Sequence, residues 1–215
     1  KDVEACIRQA TLAPTSSNLQ LWEFYHITNP ETLKELSTAC FGQAAAATAL
    51  QLVIPIVRKD LWKKRVNANL KFLNAQFEAQ EVRNTKQEKM ALNYYGKVIP
   101  TLYKDFFGIL GLIKKVAATI TGAFRPMYRE VSATDLRVVA HKSTALAAQN
   151  FMISMAAKGI DTCPMEGFDS KRVRQILGLP KSAQISMIIG CGYRDKDGIY
   201  GPRFRVPFDE VYHKI

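Results

Sequence analysis

The run Leu52-Val53-Ile54-Pro55-Ile56-Val57 constrains this chain more than any other stretch. It is apolar and rich in β-branched side chains, so it reads as a buried strand. Ile185 to Cys191 reads the same way, and Trp22 to Ile27 alternates like a half-buried strand. Helical patterns stand between these runs. Val3, Ile7 and Ala10 recur at helical spacing over residues 3–13, and Pro14 stops them. Asn29-Pro30-Glu31 opens a second helix, with Asn29 as N-cap, Pro30 in the first turn and Leu33, Leu36 and Cys40 on the buried face. Residues 43–49 are Ala-rich and helix-prone. His141 to Lys158 is the clearest helix, with Leu146, Gln149, Phe151, Met152 and Met155 as its core stripe and Gly159 as its cap. Asp161 to Phe168 reads as a loop, and Asp169 caps a short helix carrying Val173, Ile176 and Leu177. The tail from Gly201 to Pro207 is extended. Strands and helices alternate, which gives α+β, or α/β with long helices.

A length of 215 residues suits one domain with a sizeable insertion. We place a helical insertion at about 58–136. Trp62, Val66, Leu70, Leu73 and Phe77 recur at helical spacing in its first part, and Tyr94 to Phe124 is apolar with Gly and Pro breaks. No apolar run approaches the roughly 20 residues of a membrane span, so no membrane partner is expected. Cys6, Cys40, Cys163 and Cys191 lie far apart, which favours reduced thiols and a cytoplasmic location. The chain opens Lys1-Asp2-Val3-Glu4 without Met and is expected to be cut from a longer protein.

The 30 Lys+Arg against 19 Asp+Glu leave a net charge of +11. That excess points to an anionic partner, whether nucleic acid, membrane surface or phosphorylated small molecule, without choosing among them. Several chemistries drop out. His26, His141 and His213 have no second His or Cys within helical reach, so no metal site is expected. There is no G-x-S-x-G and no G-x-x-x-x-G-K, and Gly190-Cys191-Gly192 lacks the third glycine and the helix of a dinucleotide fingerprint.

Three segments remain. Pro14-Thr15-Ser16-Ser17-Asn18-Leu19-Gln20-Leu21-Trp22 carries hydroxyls and amides suited to a planar heterocycle rich in acceptors, although alone it is an ordinary helix-to-strand turn. Cys163-Pro164-Met165-Glu166-Gly167-Phe168 offers close backbone approach at Gly167, although alone it is a loop leading into a helix. Arg203 and Arg205 point the same way in an extended tail and suit one phosphate, although alone they are a solvated pair.

Order and spacing carry more than any one of these. A P-[ST]-S-x-N-x-Q-x-W loop, a Phe41-Gly42-Gln43 step, a helix ending at Gly159, a P-x-E-G-F loop and an R-x-R-x-P tail occur together. This set resembles the nitroreductase-like FMN-dependent oxidoreductases over about residues 3–57 and 137–213. The resemblance implies a three-layer α+β sandwich, a mainly antiparallel sheet flanked by helices, with residues 1–215 as one domain. It implies a homodimer with FMN at the interface, NAD(P)H as co-substrate and a ping-pong transfer through flavin to a small-molecule acceptor: a nitroaromatic, quinone or activated alkene. Pro14, Thr15, Ser16 and Asn18 would contact flavin held mainly by the other subunit. Gln43 would face the pyrimidine edge, Pro164, Met165, Glu166 and Gly167 would pass beside the ring, and Arg203 and Arg205 would grip the phosphate. The chemistry then belongs to the cofactor, and no catalytic side chain is assigned. Some members place a Lys where this chain has Ala46, and Arg65 is a candidate substitute. Tyr94, Tyr95, Phe106 and Phe107 are candidate pocket walls.

Two other classes compete. One is a basic nucleic-acid-binding module, motivated by Arg58, Lys59, Lys63, Lys64 and Arg65, against which no helix-turn-helix, RNP or KH signature appears, so nucleic acid is not the expected partner. The other is a flavin-fold protein that binds ligand without turnover.

Overall fold

The computed structural model describes residues 1–80, 84–104 and 109–215, with Ile109 described through its backbone alone. Among the described residues the elements run α1 (Asp2–Ala10), β1 (Trp22–Ile27), α2 (Pro30–Ala39), α3 (Ala44–Thr48), β2 (Gln51–Val57), α4 (Trp62–Glu78), α5 (Thr85–Asn93), α6 (Ile99–Tyr103), α7 (Ile109–Phe124), α8 (Ala133–Ala157), β3 (Asp161–Met165), α9 (Ser170–Ile176), β4 (Gln184–Ile185) and β5 (Ile188–Gly192). The strands form one sheet in the order β1-β2-β5-β3, with β4 also on β2, and every pairing is antiparallel.

The β2 run is buried because helices cover both of its faces. Leu52, Ile54 and Ile56 point to one side, where Leu36, Ala39 and Cys40 of α2, Ala46 of α3 and Val173 of α9 complete a core. Val53 points to the other side and meets Val3, Cys6 and Ala10 of α1 and Ala148, Phe151 and Met155 of α8. The result is helices, sheet, helices: the three-layer α+β sandwich expected. A third core joins the sheet to α4, α6 and α8, where Val57 meets Leu19, Leu21, Val66, Ile99, Tyr103 and Leu136. Gly190 permits the close approach of α3, since a Cβ there would stand 2.9 Å from the Ala45 carbonyl oxygen. No described helix is long and apolar enough to cross a membrane.

Local chemistry sets the helix ends. The Asn29 side chain accepts from the Thr32 amide at 2.9 Å, and Pro30 occupies the first turn. Asp169 accepts from the Lys171 and Arg172 amides. Gly159 adopts φ +73° after α8, which a side chain would resist.

Three expectations need correction. Asp161–Met165 is not a loop but the edge strand β3, paired with β5 along its whole length; Pro164 is tolerated there because one side of an edge strand needs no N–H. The Ile185–Cys191 run is broken into β4 and β5. Ile185 pairs with Ile56 and Ile189 with Val53, so β5 carries one residue more than β2 between those pairs. This bulge forms opposite Pro55, which has no N–H to donate, and the Ser186 amide bonds the Pro55 carbonyl instead. Finally, α8 begins at Ala133, where Ser132 and Asp135 form a reciprocal capping box. Its buried face is Ser143, Thr144, Ala147, Ala148, Phe151 and Met155, with Met152 half-buried, while Leu146 and Gln149 are exposed. The helix is apolar around much of its girth, so periodicity alone did not identify the face that neighbours cover.

Candidate functional site

The first loop is strained and heavily tied. Ser17, Asn18 and Gln20 all have positive φ, near 50°. Non-glycine residues rarely occupy that region, at a cost of about 1–3 kcal/mol each, so surrounding contacts must hold them. The Asn18 carboxamide donates to Asn69 Oδ1, and Asn69 Nδ2 donates back to the Asn18 carbonyl, both at 3.0 Å. The Tyr95 hydroxyl donates to the Ser17 carbonyl at 3.0 Å, and the Ser17 and Tyr94 hydroxyls share a 2.7 Å bond. Thr15 Oγ accepts from the Gln20 amide, and the Ser16 amide donates to Ser143 Oγ on α8. Burial raises the Tyr95 pKa, aided by nearby Tyr94, so the phenol stays a donor. Pro14, Ser16 and Asn18 remain exposed and Thr15 half-buried.

The second cluster lies on the other side of the sheet. Phe41 and Gly42 take positive φ after α2 and turn the chain so that Gln43 precedes α3. Gln43 Nε2 donates to the Cys40 carbonyl at 3.0 Å and to the Gly167 carbonyl. Both amide hydrogens are thereby used, and Oε1 is left to accept. A Cβ at Gly167 would stand 3.1 Å from Gln43 Nε2, so a side chain there would crowd the junction. Met165 is buried in the α2–α3–α9 core, whereas Pro164, Glu166 and Gly167 are exposed. Burial pushes the Cys40 thiol up, which keeps it neutral beside this junction.

Two of the sequence-derived groups therefore assemble within themselves. Gln43 meets Gly167, while Asn18 is tied to Asn69 of α4, Ser16 to Ser143 of α8 and Thr15 to Gln20 of the same loop. In the single chain the two groups are anchored on opposite faces of the sheet. Arg203 and Arg205 join neither: every residue from Gly192 to Ile215 is exposed, and Arg205 donates to its own neighbour, the Phe204 carbonyl. The Arg65 carbonyl accepts from Asn69 Nδ2 one turn along α4, and its Nε is buried without a partner among the described residues. Phe106 and Phe107 lie outside the described residues.

Asn69 and Ser143 escaped sequence reasoning. Asn69 did leave a signal, because it follows Val66 by three positions and precedes Leu70 and Leu73, a polar residue beside an apolar stripe. Tyr94 and Tyr95, the candidate pocket walls, bond the first loop at Ser17.

The model of the nitroreductase family matches residues 1–193. The chain belongs to the nitroreductase family. It is 27% identical over 210 residues to an NADH dehydrogenase of Thermus thermophilus, covering 97% of this chain and 80% of that one. A nitroreductase family protein of Streptococcus pneumoniae has the same fold, with a TM-score of 0.68 at 22% identity and coverage of 100% and 88%. So does an FMN complex from Exiguobacterium sibiricum, with a TM-score of 0.66 at 19% identity and coverage of 99% and 85%. The nitroreductase fold thus spans the whole chain, while Arg203 and Arg205 lie beyond the residues the family model matches.

Proposed function

We propose that this member of the nitroreductase family is an FMN-dependent NAD(P)H oxidoreductase acting as a cytoplasmic homodimer. The observation that carries the reading is the junction of Gln43 with Gly167 inside a nitroreductase fold. The residues present fit a flavin. Gln43 Oε1, fixed by two bonds on its Nε2, is an acceptor suited to the N–H of a pyrimidine edge. Gly167 and exposed Glu166 offer backbone groups to a flat ring. Pro14, Thr15, Ser16 and Asn18 form the rigid rim that a second subunit would supply, which accounts for their anchorage across the sheet from Gln43. Among the described residues Arg203 and Arg205 have no acid partner, and they suit a phosphate.

When bound, FMN would supply the redox chemistry, with NAD(P)H as hydride donor and a nitroaromatic, quinone or activated alkene as acceptor in ping-pong order. The chain holds and orients. Gln43 would hold one edge of the ring, the Pro164–Gly167 segment would pass beside it, and the first loop of a second subunit would supply the rim.

The test is a visible spectrum of the protein after addition of FMN and desalting. A retained flavin spectrum with NAD(P)H oxidation is expected, and Arg203→Ala with Arg205→Ala should weaken retention about tenfold or more. No retained flavin would overturn the proposal and bring the basic nucleic-acid module forward. Retained flavin without NAD(P)H oxidation would favour ligand binding without turnover.

A further inference from the structure

Helix α7 is turned inside out. A surface helix normally buries its apolar stripe and leaves its polar side in water. In α7 the buried positions are Gly111 and Ala118. Half-buried Lys114 lies on the same side and donates to the carbonyls of Leu102 and Lys104. The large apolar residues face outward: Leu112, Ile113, Val116, Ile120 and Phe124 are 53% to 87% exposed. At about 100° per residue, these five and Leu110, Ala117 and Ala123 fill one continuous arc of roughly 160°. Met127 and Tyr128, just past the helix, are exposed as well.

Thr119 and Thr121 flank that arc, and every charged residue beyond them is a cation: Lys115 and, just past the helix, Arg125 are exposed, and no acidic residue occurs from Ile109 to Arg129. The helix has 16 residues. At about 1.5 Å per residue it is roughly 24 Å long, short of a hydrocarbon core about 30 Å thick. It is suited to lie along a bilayer, not to cross one.

We propose that α7 is an interfacial helix that docks this protein on an anionic lipid surface. The apolar arc enters the acyl boundary, and Lys115 and Arg125, set back from the arc, extend their long side chains toward the headgroups. Tyr128 is a residue type suited to the interface. The net charge of +11 favours the same encounter. The absence of a spanning run concerns crossing a membrane, whereas α7 concerns its surface. This proposal does not depend on flavin binding.

Sedimentation of the full chain with phosphatidylglycerol-containing vesicles, against pure phosphatidylcholine vesicles, tests it. Binding to the anionic vesicles is expected, weakening as salt is raised. Val116→Asp with Ile120→Asp should lower the bound fraction at least about tenfold. Lys115→Gln with Arg125→Gln should weaken anionic binding several-fold and flatten its salt dependence, and it keeps the test valid if the aspartate pair fails to fold. No binding to either vesicle overturns the proposal. So does a parent assembly, seen by light scattering, that the aspartate pair dissolves while lipid leaves it unbound; a second copy would then own the face. Flavin retention is read on the same variants, so the two proposals fail separately.

Discussion

The carboxamide of Gln43 donates to the carbonyl of Gly167 and joins two loops 124 residues apart. It also bonds the Cys40 carbonyl, so a single side chain ties the end of α2 to the segment after β3. Gln43→Ala removes both bonds at a partly exposed site and should cost about 1 kcal/mol of stability. Gly167→Ala places a Cβ against the same amide and should disturb the junction from the other side. Both variants should retain less FMN than the parent after desalting, read by visible absorbance alongside thermal melts. Full retention by both would remove this junction from the site.

Asn69 is buried and satisfies two carbonyls and one carboxamide. Asn69→Ala leaves the Asn18 side chain and carbonyl without these partners and frees a loop that stores backbone strain. We expect a loss of about 1–2 kcal/mol, measured by urea denaturation, and faster proteolysis within residues 14–20. An unchanged midpoint would mean that Tyr94, Tyr95 and Ser143 hold the loop without it.

Arg58 bridges Glu23 of β1 and Asp60, with only 14% of its side chain exposed. Burial by itself raises the Asp60 pKa, but the hydrogen bonds from Arg58 and Ser182 outweigh it and hold the carboxyl below its usual 3.8. A depressed carboxylate contributes stability above its unfolded pKa and loses it as pH falls through the folded one. Urea midpoints should therefore drop as pH is lowered from about 4, and Asp60→Asn should shrink that drop. The Asp60 contribution is held to about 1 kcal/mol or less by its partial exposure. Identical acid profiles for parent and variant would refute the assignment.

Cys163 is exposed on the edge strand, whereas Cys6, Cys40 and Cys191 are buried. Burial pushes the Cys191 thiol up to about 12. Disulfide-exchange reagents should modify one thiol of the native chain quickly and the other three only after denaturation. Cys163→Ser should abolish the fast phase. More than one fast thiol would mean that the layer of α1 or α2 opens readily.

The sequence by itself determined what local chemistry decides. Leu52–Val57 had to be buried, Asn29 and Asp169 had to cap helices, Gly159 had to end one, and the P-S-x-N, F-G-Q and P-x-E-G-F segments marked the nitroreductase likeness. Tertiary structure decided what depends on neighbours. It made β3 a strand, because the edge of β5 was open to pair with it. It split β4 from β5, because Pro55 on the facing strand has no N–H. It chose Ala147 over Leu146 for burial, because α8 offers apolar residues on several sides and only α1 and the sheet select among them. It joined Gln43 to Gly167 and Asn18 to Asn69, pairs whose partners are far apart in the chain. Period and composition report a residue's own preference, and a contact between distant residues also requires the fold that brings its partner within reach.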